Sequence, residues 1–314
     1  MTGIKRAQEI SQHAEEHGDA ETMREYRINV GSLARYKAMV RGKAWQPSRA
    51  LKSIAEKYSD TELRALARGR ELAPPNIKIP PINFSGERLR FGFLTDTHFG
   101  SLYSPPGLFE AAVAQFRAED CAFAVHAGDV TEGMSSRPGH VYELAQIGFT
   151  AQRDYAIEMM RKWDRPWYCI DGNHDRWYIK ACDARVVEEI CAAVDGAQFL
   201  GHDVGELPLK GGCKIMLWHG EDGSSYATSY RLQKIIESLS GGTKPNVLLA
   251  GHTHKQAYFF ERNIHALSGG SIQLQTPWMR GKRYPAHPGF WIIDLWLNGS
   301  SVARISPTWY PFYA

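Results

Sequence analysis

The chain is 314 residues long, 43% apolar and 23% charged, with a net charge of +3; these are ordinary proportions for one large or two smaller globular domains, and the charge is too small to argue for a nucleic-acid partner on the whole-chain average. Its five cysteines (Cys121, Cys169, Cys182, Cys191, Cys213) are scattered and form no CxxC pair, which fits free thiols in a reducing compartment better than a disulfide framework. The opening MTGIKRAQEI has no apolar stretch of the secretory kind, and no run approaches the ~20 apolar residues that span a bilayer, so the expectation is a cytoplasmic protein with no membrane partner.

Residues 1–75 are rich in Ala, Glu, Arg and Lys and read as a helical domain. One helix is predicted from Lys5 to His17, broken by Gly18, and a second from Ala20 to Arg27 with Asp19 as its cap. A third is predicted from Leu33 to Val40, capped by Ser32. Helix, short turn, helix is the layout of a helix-turn-helix module, and Asn29 to Tyr36 resembles the turn and recognition-helix start of one. Between Arg24 and Tyr58, nine basic residues stand against two acidic ones. That local excess is a footprint for phosphates, with Arg35, Lys37 and Arg41 as candidate nucleic-acid contacts. The other reading is a helical bundle with a solvated basic face, or an oligomerisation element. A further helical piece is predicted over residues 49–70, its last helix starting at Ser59-Asp60-Thr61-Glu62.

Pro74-Pro75, Pro80-Pro81 and Ser85-Gly86 mark residues 76–87 as a Pro-rich, stiffened linker. From residue 88 to 314 short apolar runs alternate with helical segments. The runs are 89–94, 122–125, 167–170, 214–218 and 247–249; helices are predicted near 107–118, 142–162, 184–194 and 226–239. Such alternation argues for an α/β fold. Beyond Ser271 the chain turns strand-rich, with runs at 290–297 and 301–305, which suggests a second sheet and hence a layered sandwich. Asn298-Gly299-Ser300 reads as the hairpin turn between those runs rather than as a glycosylated loop.

Each of the five runs ends in side chains able to hold a metal: Asp96-Thr97-His98, Gly128-Asp129, Gly172-Asn173-His174-Asp175, His219 and Gly251-His252-Thr253-His254. In open α/β sheets ligands bind beyond the carboxyl ends of the strands, so all five segments are expected at one rim. In extended chain, residues i and i+2 share a face, which pairs Asp96 with His98 and His252 with His254. With Asp129, Asn173 and His219 these make seven candidate ligands, too many for one tetrahedral ion and suited to two ions sharing a bridge. Asp129 is the natural bridge. A mixed O/N set without cysteine suits borderline divalent metals: manganese, with iron, zinc or nickel as alternatives. Gly172 is expected where the backbone must turn without a side chain. His174 is the residue placed by its intrinsic pKa to hand over a proton near neutrality, with Asp175 orienting it.

The ordered set D-x-H, G-D, G-N-H-D, H, G-H-x-H over residues 88–310 resembles the calcineurin-like metallophosphoesterase superfamily. The resemblance implies a four-layer αββα sandwich. It implies one metal on Asp96, His98, Asp129 and His254 and a second on Asp129, Asn173, His219 and His252, with His174 meeting the phosphate and protonating the leaving oxygen. Two such metals clamp a phosphoryl group and activate a bridging water for attack at phosphorus. Val130-Thr131-Glu132-Gly133, where the Ser/Thr protein phosphatase branch has Asp-Arg-Gly, points away from that branch.

The favoured reading is a phosphodiesterase or nuclease acting on nucleic acid or nucleotides. One alternative is a phosphomonoesterase or cyclic-nucleotide phosphodiesterase with an oligomerising helical domain. The other is a DNA-binding adaptor with a relic metal site. Arg176 is a candidate phosphate contact or else a surface ion pair. Arg280, Lys282 and Arg283 form a basic loop that reads as a substrate contact or a solvated turn, and Tyr226 and Tyr230 are placed to face the cleft. His126 reads as a strand residue near the site; His202, His265 and His287 carry no motif.

Overall fold

The computed structural model describes residues 3–40, 79–221, 227–240, 242 and 244–312. The chain divides into two compact units, Met1–Ala73 and Pro74–Ala314. Among the described residues no helix is long and apolar enough to cross a membrane.

In the first unit, α1 (Gly3–His17), α2 (Asp19–Glu25) and α3 (Val30–Val40) pack on one another. Ala7, Ile10 and Ala14 recur at helical spacing on α1 and are buried; Ile10 and Ala14 pack with Leu33 of α3 against Met23, Tyr26, Ile28 and Tyr36. Gly18, at φ 82°, separates α1 from α2 as the sequence suggests. The start of α3 differs from expectation. Ser32 is not its cap; the Asn29 carboxamide accepts from the Ser32 N–H at 2.8 Å, so Asn29 satisfies a first-turn donor and the helix begins at Val30. Arg35 is exposed, whereas the Lys37 ammonium is paired with Asp19 of α2. Arg41, the helices predicted over 49–70 and the linker before residue 79 lie outside the described residues.

The second unit is built on two sheets. Four parallel strands, β1 (Arg88–Leu94), β2 (Ala124–Ala127), β3 (Trp167–Asp171) and β4 (Ala197–His202), lie side by side in the first. Two antiparallel strands, β10 (Gly289–Asn298) and β11 (Ser301–Pro311), extend it beyond β1. The second sheet runs in the order β5 (Val204–Pro208), β6 (Lys214–Trp218), β7 (Val247–Ala250), β9 (Ile264–Gly269), β8 (Gln256–Glu261). Between them lies a core of alternating side chains: Phe91, Phe93, Val125 and Ile293 from the first sheet, and Leu207, Ile215, Leu217, Leu249 and Leu267 from the second.

Helices cover both outer faces. Phe109 and Phe116 of α4 (Pro106–Ala118), Met159 of α5 (Phe149–Met160) and Ile190 of α7 (Val186–Ala193) pack on the first sheet. Leu232 and Ile236 of α8 (Tyr230–Ser238) pack on Met216 and Leu248 of the second. A short α6 (Arg176–Cys182) follows β3. The result is the expected four-layer α/β/β/α sandwich.

Two expectations need correcting. The late strands do not form the second sheet: β10 pairs with β1, and the Asn298-Gly299 turn folds β11 back onto β10. The second sheet comes instead from the middle of the chain, including β4's successor β5 and the hairpin β8–β9. The described part of the Pro-rich, stiffened linker does not stand apart from the second unit either. Ile79, Ile82 and Phe84 pack on the inter-sheet core, and Lys210 holds the Phe84 and Gly86 carbonyls at 3.0 and 2.6 Å.

Candidate metal centre

β1, β2 and β3 of one sheet and β6 and β7 of the other end at a common rim, and each hands its next residues to it. The backbone there is unusual. Asp96, His98, Asp129, His252 and His254 all have left-handed φ, between 45° and 74°, a conformation that costs non-glycine residues energy and that folded proteins hold chiefly at functional sites. Asp96-Thr97-His98 and His252-Thr253-His254 are therefore not extended, and their side chains converge by turning of the chain rather than by strand alternation. Glycines make room for the cluster. A Cβ on Gly172 would lie 2.1 Å from Asp129 Oδ1, one on Gly128 2.5 Å from His219 Nδ1, and one on Gly251 2.3 Å from Thr95 Oγ1. Gly172 is thus required by close approach of a carboxylate.

Three groups of side chains bring their ligand atoms together: Asp96, His98 and His254; His98, Asp129 and His174; and Asp129, His219 and His252. His254 Nε2 lies 3.3 Å from Asp96 Oδ1 and 3.1 Å from His98 Nε2. Asp129 Oδ2 is 3.1 Å from His219 Nε2 and 3.8 Å from His98 Nε2, so one carboxylate oxygen touches both halves of the cluster. Asn173 Oδ1 is 2.7 Å from His252 Nδ1 and 3.2 Å from His219 Nε2. All seven candidate ligands named from the sequence are in this one cluster.

Outer hydrogen bonds fix the tautomers. His219 Nδ1 donates to the Ala127 carbonyl at 2.7 Å, which leaves Nε2 to face Asp129 and Asn173. His174 Nδ1 donates to the Glu132 carbonyl at 2.8 Å and turns Nε2 toward the cavity. Asp96 Oδ2 accepts from Thr95 Oγ1 at 2.8 Å, and both its oxygens accept from the His252 N–H.

Asp175 does not orient His174. It is fully buried and accepts from the N–H groups of Val130 (3.0 Å), Thr131 (2.8 Å) and Gly172 (2.9 Å) and from Thr131 Oγ1 (2.7 Å). Its work is to pin the turn after Asp129 to the turn before Asn173. The group beside His174 is Glu132, which sequence reading passed over. Its buried carboxylate lies 3.2 Å from His98 Nδ1, 3.0 Å from His140 Nε2 and 3.6 Å from His174 Nδ1, and accepts from Gln273 Nε2 at 2.7 Å.

The electrostatics ask for cations. Asp96, Asp129 and Glu132 are all buried. Burial would raise their pKa values, but the surrounding histidines hold all three well below the carboxylate range. Conversely, burial opposes charge on His98 and His219, yet Glu132 and Asp129 respectively outweigh it, holding His98 well above its ordinary value and pushing His219 up to about 9. Burial lowers His174, and pushes His252 down to about 3 with His219 adding to the effect. Burial and then Asp129 push Asp175 up to about 7. Carboxylates that draw protons onto neighbouring imidazoles, and two imidazole nitrogens 3.1 Å apart beside a carboxylate, form a donor set matched to divalent cations of the borderline class.

The remaining candidates are placed elsewhere. Arg176 is occupied by Asp171 (3.2 Å), Asp203 (3.1 Å) and Glu221 (2.9 Å) and is not on the cavity wall; the ion-pair reading holds for it. Arg280 and Arg283 are exposed, and it is their neighbours Trp278, Met279 and Tyr284 that line the cavity. Tyr226 lies outside the described residues, and Tyr230 is half exposed at the start of α8 and off the cavity wall. His126 is a buried brace: its Nε2 donates to Thr97 Oγ1 at 2.9 Å, and burial pushes it down to about 3. His202 pairs with Asp171, His265 with the Tyr258 hydroxyl, and His287 Nδ1 accepts from the Gln256 N–H. A cavity of about 400 Å³ opens beside the cluster.

A family model described as calcineurin-like phosphoesterase matches residues 89–256, more than half of the chain. The chain is 24% identical over 289 residues to the DNA polymerase II small subunit of Archaeoglobus fulgidus, covering 76% of this chain and 58% of that relative. It is 22% identical over 252 residues to the subunit of the same name from Methanothermobacter thermautotrophicus, covering 66% and 51%. The chain thus spans little more than half the length of these relatives. Among solved structures, an archaeal phosphodiesterase is similar with a TM-score of 0.43 and 16% identity, covering 71% of this chain and all of that one. Yfce, a phosphoesterase from E. coli, has a TM-score of 0.42 and 17% identity, covering 69% and 98%.

Proposed function

The chain belongs to the calcineurin-like phosphoesterase family, and from that membership we propose that it is a dinuclear metal-dependent phosphodiesterase acting on nucleic acid or nucleotides. The observation that carries this is the Asp129 carboxylate, whose Oδ2 reaches His219 of one triad and His98 of the other. Asp96, His98, Asp129 and His254 would hold one ion; Asp129, Asn173, His219 and His252 would hold the second. Bound there, two divalent ions, manganese first among the candidates, supply charge neutralisation for phosphoryl oxygens and an activated water. His174 presents Nε2 to the substrate while its Nδ1–H bond to the Glu132 carbonyl keeps the ring in place; the proton for the leaving oxygen is one that Nε2 takes up first, as imidazolium, and the ring returns to the neutral Nδ1–H form when it is given away. The left-handed backbone at five ligands holds the set ready before substrate arrives.

The preference for nucleic acid rests on the basic stretch between Arg24 and Tyr58, read as a helix-turn-helix-like DNA contact. The naming of both relatives as DNA polymerase subunits supports it. It also supports a second reading, in which the protein works as a subunit of a larger DNA-handling assembly. Purified protein with manganese should hydrolyse bis-p-nitrophenyl phosphate and cleave single-stranded or plasmid DNA, and lose both on His174→Ala. Turnover of monoesters alone would defeat the diesterase reading. Intact DNA with active diester turnover would leave nucleotides as the substrate. An absence of all turnover, with DNA still bound, would favour the subunit reading.

A further inference from the structure

The cavity beside the metal cluster is lined by aromatic rings as well as by the candidate ligands. Trp177 lies against His174 with centroids 4.0 Å apart and planes tilted by 32°, and buried His140 meets Trp177 edge-on at 5.6 Å. Trp278, also on the cavity wall, meets Tyr284 at 5.7 Å and 68°, and 44% of Trp278 is exposed, which leaves ring surface open to a ligand. The Arg137 guanidinium stands 6.0 Å from the Trp278 centroid and is held by Glu143 through two bonds, at 3.1 and 2.7 Å. Met279 completes the apolar floor.

We propose that this cavity is a nucleobase subsite, in which an unpaired base of the substrate stacks on Trp278 while its phosphate lies over the Asp129-centred cluster. The inference rests on the phosphodiesterase reading above and narrows it. Three observations select a base over other groups. Open indole surface favours a flat π-system, and base–aromatic stacking is tolerant of which base is bound. The Arg137 guanidinium, fixed by Glu143, lines the same cavity and keeps N–H groups beyond those two bonds, which suits a heteroaromatic ring with polar edges rather than an acyl chain. The volume, about 400 Å³, matches one small ligand. The aromatic wall begins at His174, the proposed proton donor, so base and phosphate are neighbours as they are within one nucleotide. The substrate class is therefore a nucleotide ester or a single-stranded end.

The test compares two diesters with the same leaving group: the p-nitrophenyl ester of thymidine 5′-monophosphate and methyl p-nitrophenyl phosphate. The wild type should favour the nucleoside ester in kcat/KM by about tenfold or more. Trp278→Ala should remove most of that preference, mainly through KM, and Trp278→Phe should restore it. A preference that Trp278→Ala leaves intact, or a wild type without one, overturns the proposal. Calorimetry with manganese present separates this failure from failure of the hydrolytic reading. If neither ester is hydrolysed, that reading falls. The subsite then stands if thymidine 5′-monophosphate binds about tenfold tighter than inorganic phosphate and Trp278→Ala abolishes the difference, and falls if the two bind alike.

Discussion

Glu132 Oε2 lies 3.2 Å from His98 Nδ1, and both side chains are almost completely withdrawn from solvent. The His98 ring has this charge on its Nδ1 side and directs Nε2 at Asp96, Asp129 and His254, and the carboxylate raises the basicity of the ring. Outer carboxylates of this kind typically change metal affinity by about 10–100-fold. Glu132→Gln keeps the size of the side chain and removes its charge. Manganese titration by calorimetry should then show affinity lowered by about that factor at one of two sites, with the melting temperature little changed. Unaltered affinity would mean that His98 needs no such partner.

His174 and Asp175 are adjacent in sequence and separate in effect. The His174 ring donates to the Glu132 carbonyl, lies against Trp177 and His98 and faces the cavity, and it belongs to neither proposed four-ligand set, so His174→Ala should lower kcat by about 10²–10⁴ while two ions per chain are retained. Asp175→Asn should act on stability instead. Both carboxylate oxygens of Asp175 face donors, so whichever becomes the amide nitrogen meets an N–H group. A cost of about 1–3 kcal/mol is expected, seen as a melting point lower by several degrees. If calorimetric scans show no such drop, Asp175 is not the pin described above.

Gly172→Ala puts a methyl group where Asp129 Oδ1 stands, 2.1 Å away. Gly172 carries ordinary φ, so the change tests crowding alone and not backbone strain. The Asp129 carboxylate and the Asp129 backbone nitrogen, 2.3 Å from the new Cβ, must both move, and because that carboxylate is shared by both halves of the cluster, metal content measured by plasma emission should fall at both sites together. Retention of two ions per chain would show that the carboxylate can shift without loss of bridging.

The metal cluster was legible because its ligands are short motifs tied to strand ends, and β1, β2, β3, β6 and β7 are apolar enough to be seen. The four strands that were missed are mixed. β4 reads AQFLGH and β5 VGELP, with glycine, proline and charge inside them; β8 and β9 form a hairpin whose outer strand shows Tyr258 and Phe260 to solvent. Their pairing is decided by partners distant in sequence, so periodicity within each gives little signal. Asp96 and His98 converge as alternation along a strand would have them, but on a turned backbone, since left-handed φ at both ends cannot be read from residue type. Glu132 had a signal that went unused: it lies three residues past Asp129, but only the fold brings His98, His140, His174 and Gln273 around it.

The helical unit offers a sharper test than its removal would. Arg35 and Lys37 are both on α3, but Lys37 is paired with Asp19 whereas Arg35 is exposed. If α3 contacts phosphates, each residue that does so contributes about 0.9 to the slope of log affinity against log salt. Arg35→Ala should therefore lower that slope by about one. Lys37→Ala should lower it by less, because its ammonium is already partly neutralised, and Asp19→Asn should raise affinity by freeing it. Equal effects of Arg35→Ala and Lys37→Ala would show that the pair with Asp19 does not diminish the contribution of Lys37. Flat slopes in all three variants would remove α3 from DNA binding and return the basic stretch to the role of a solvated face.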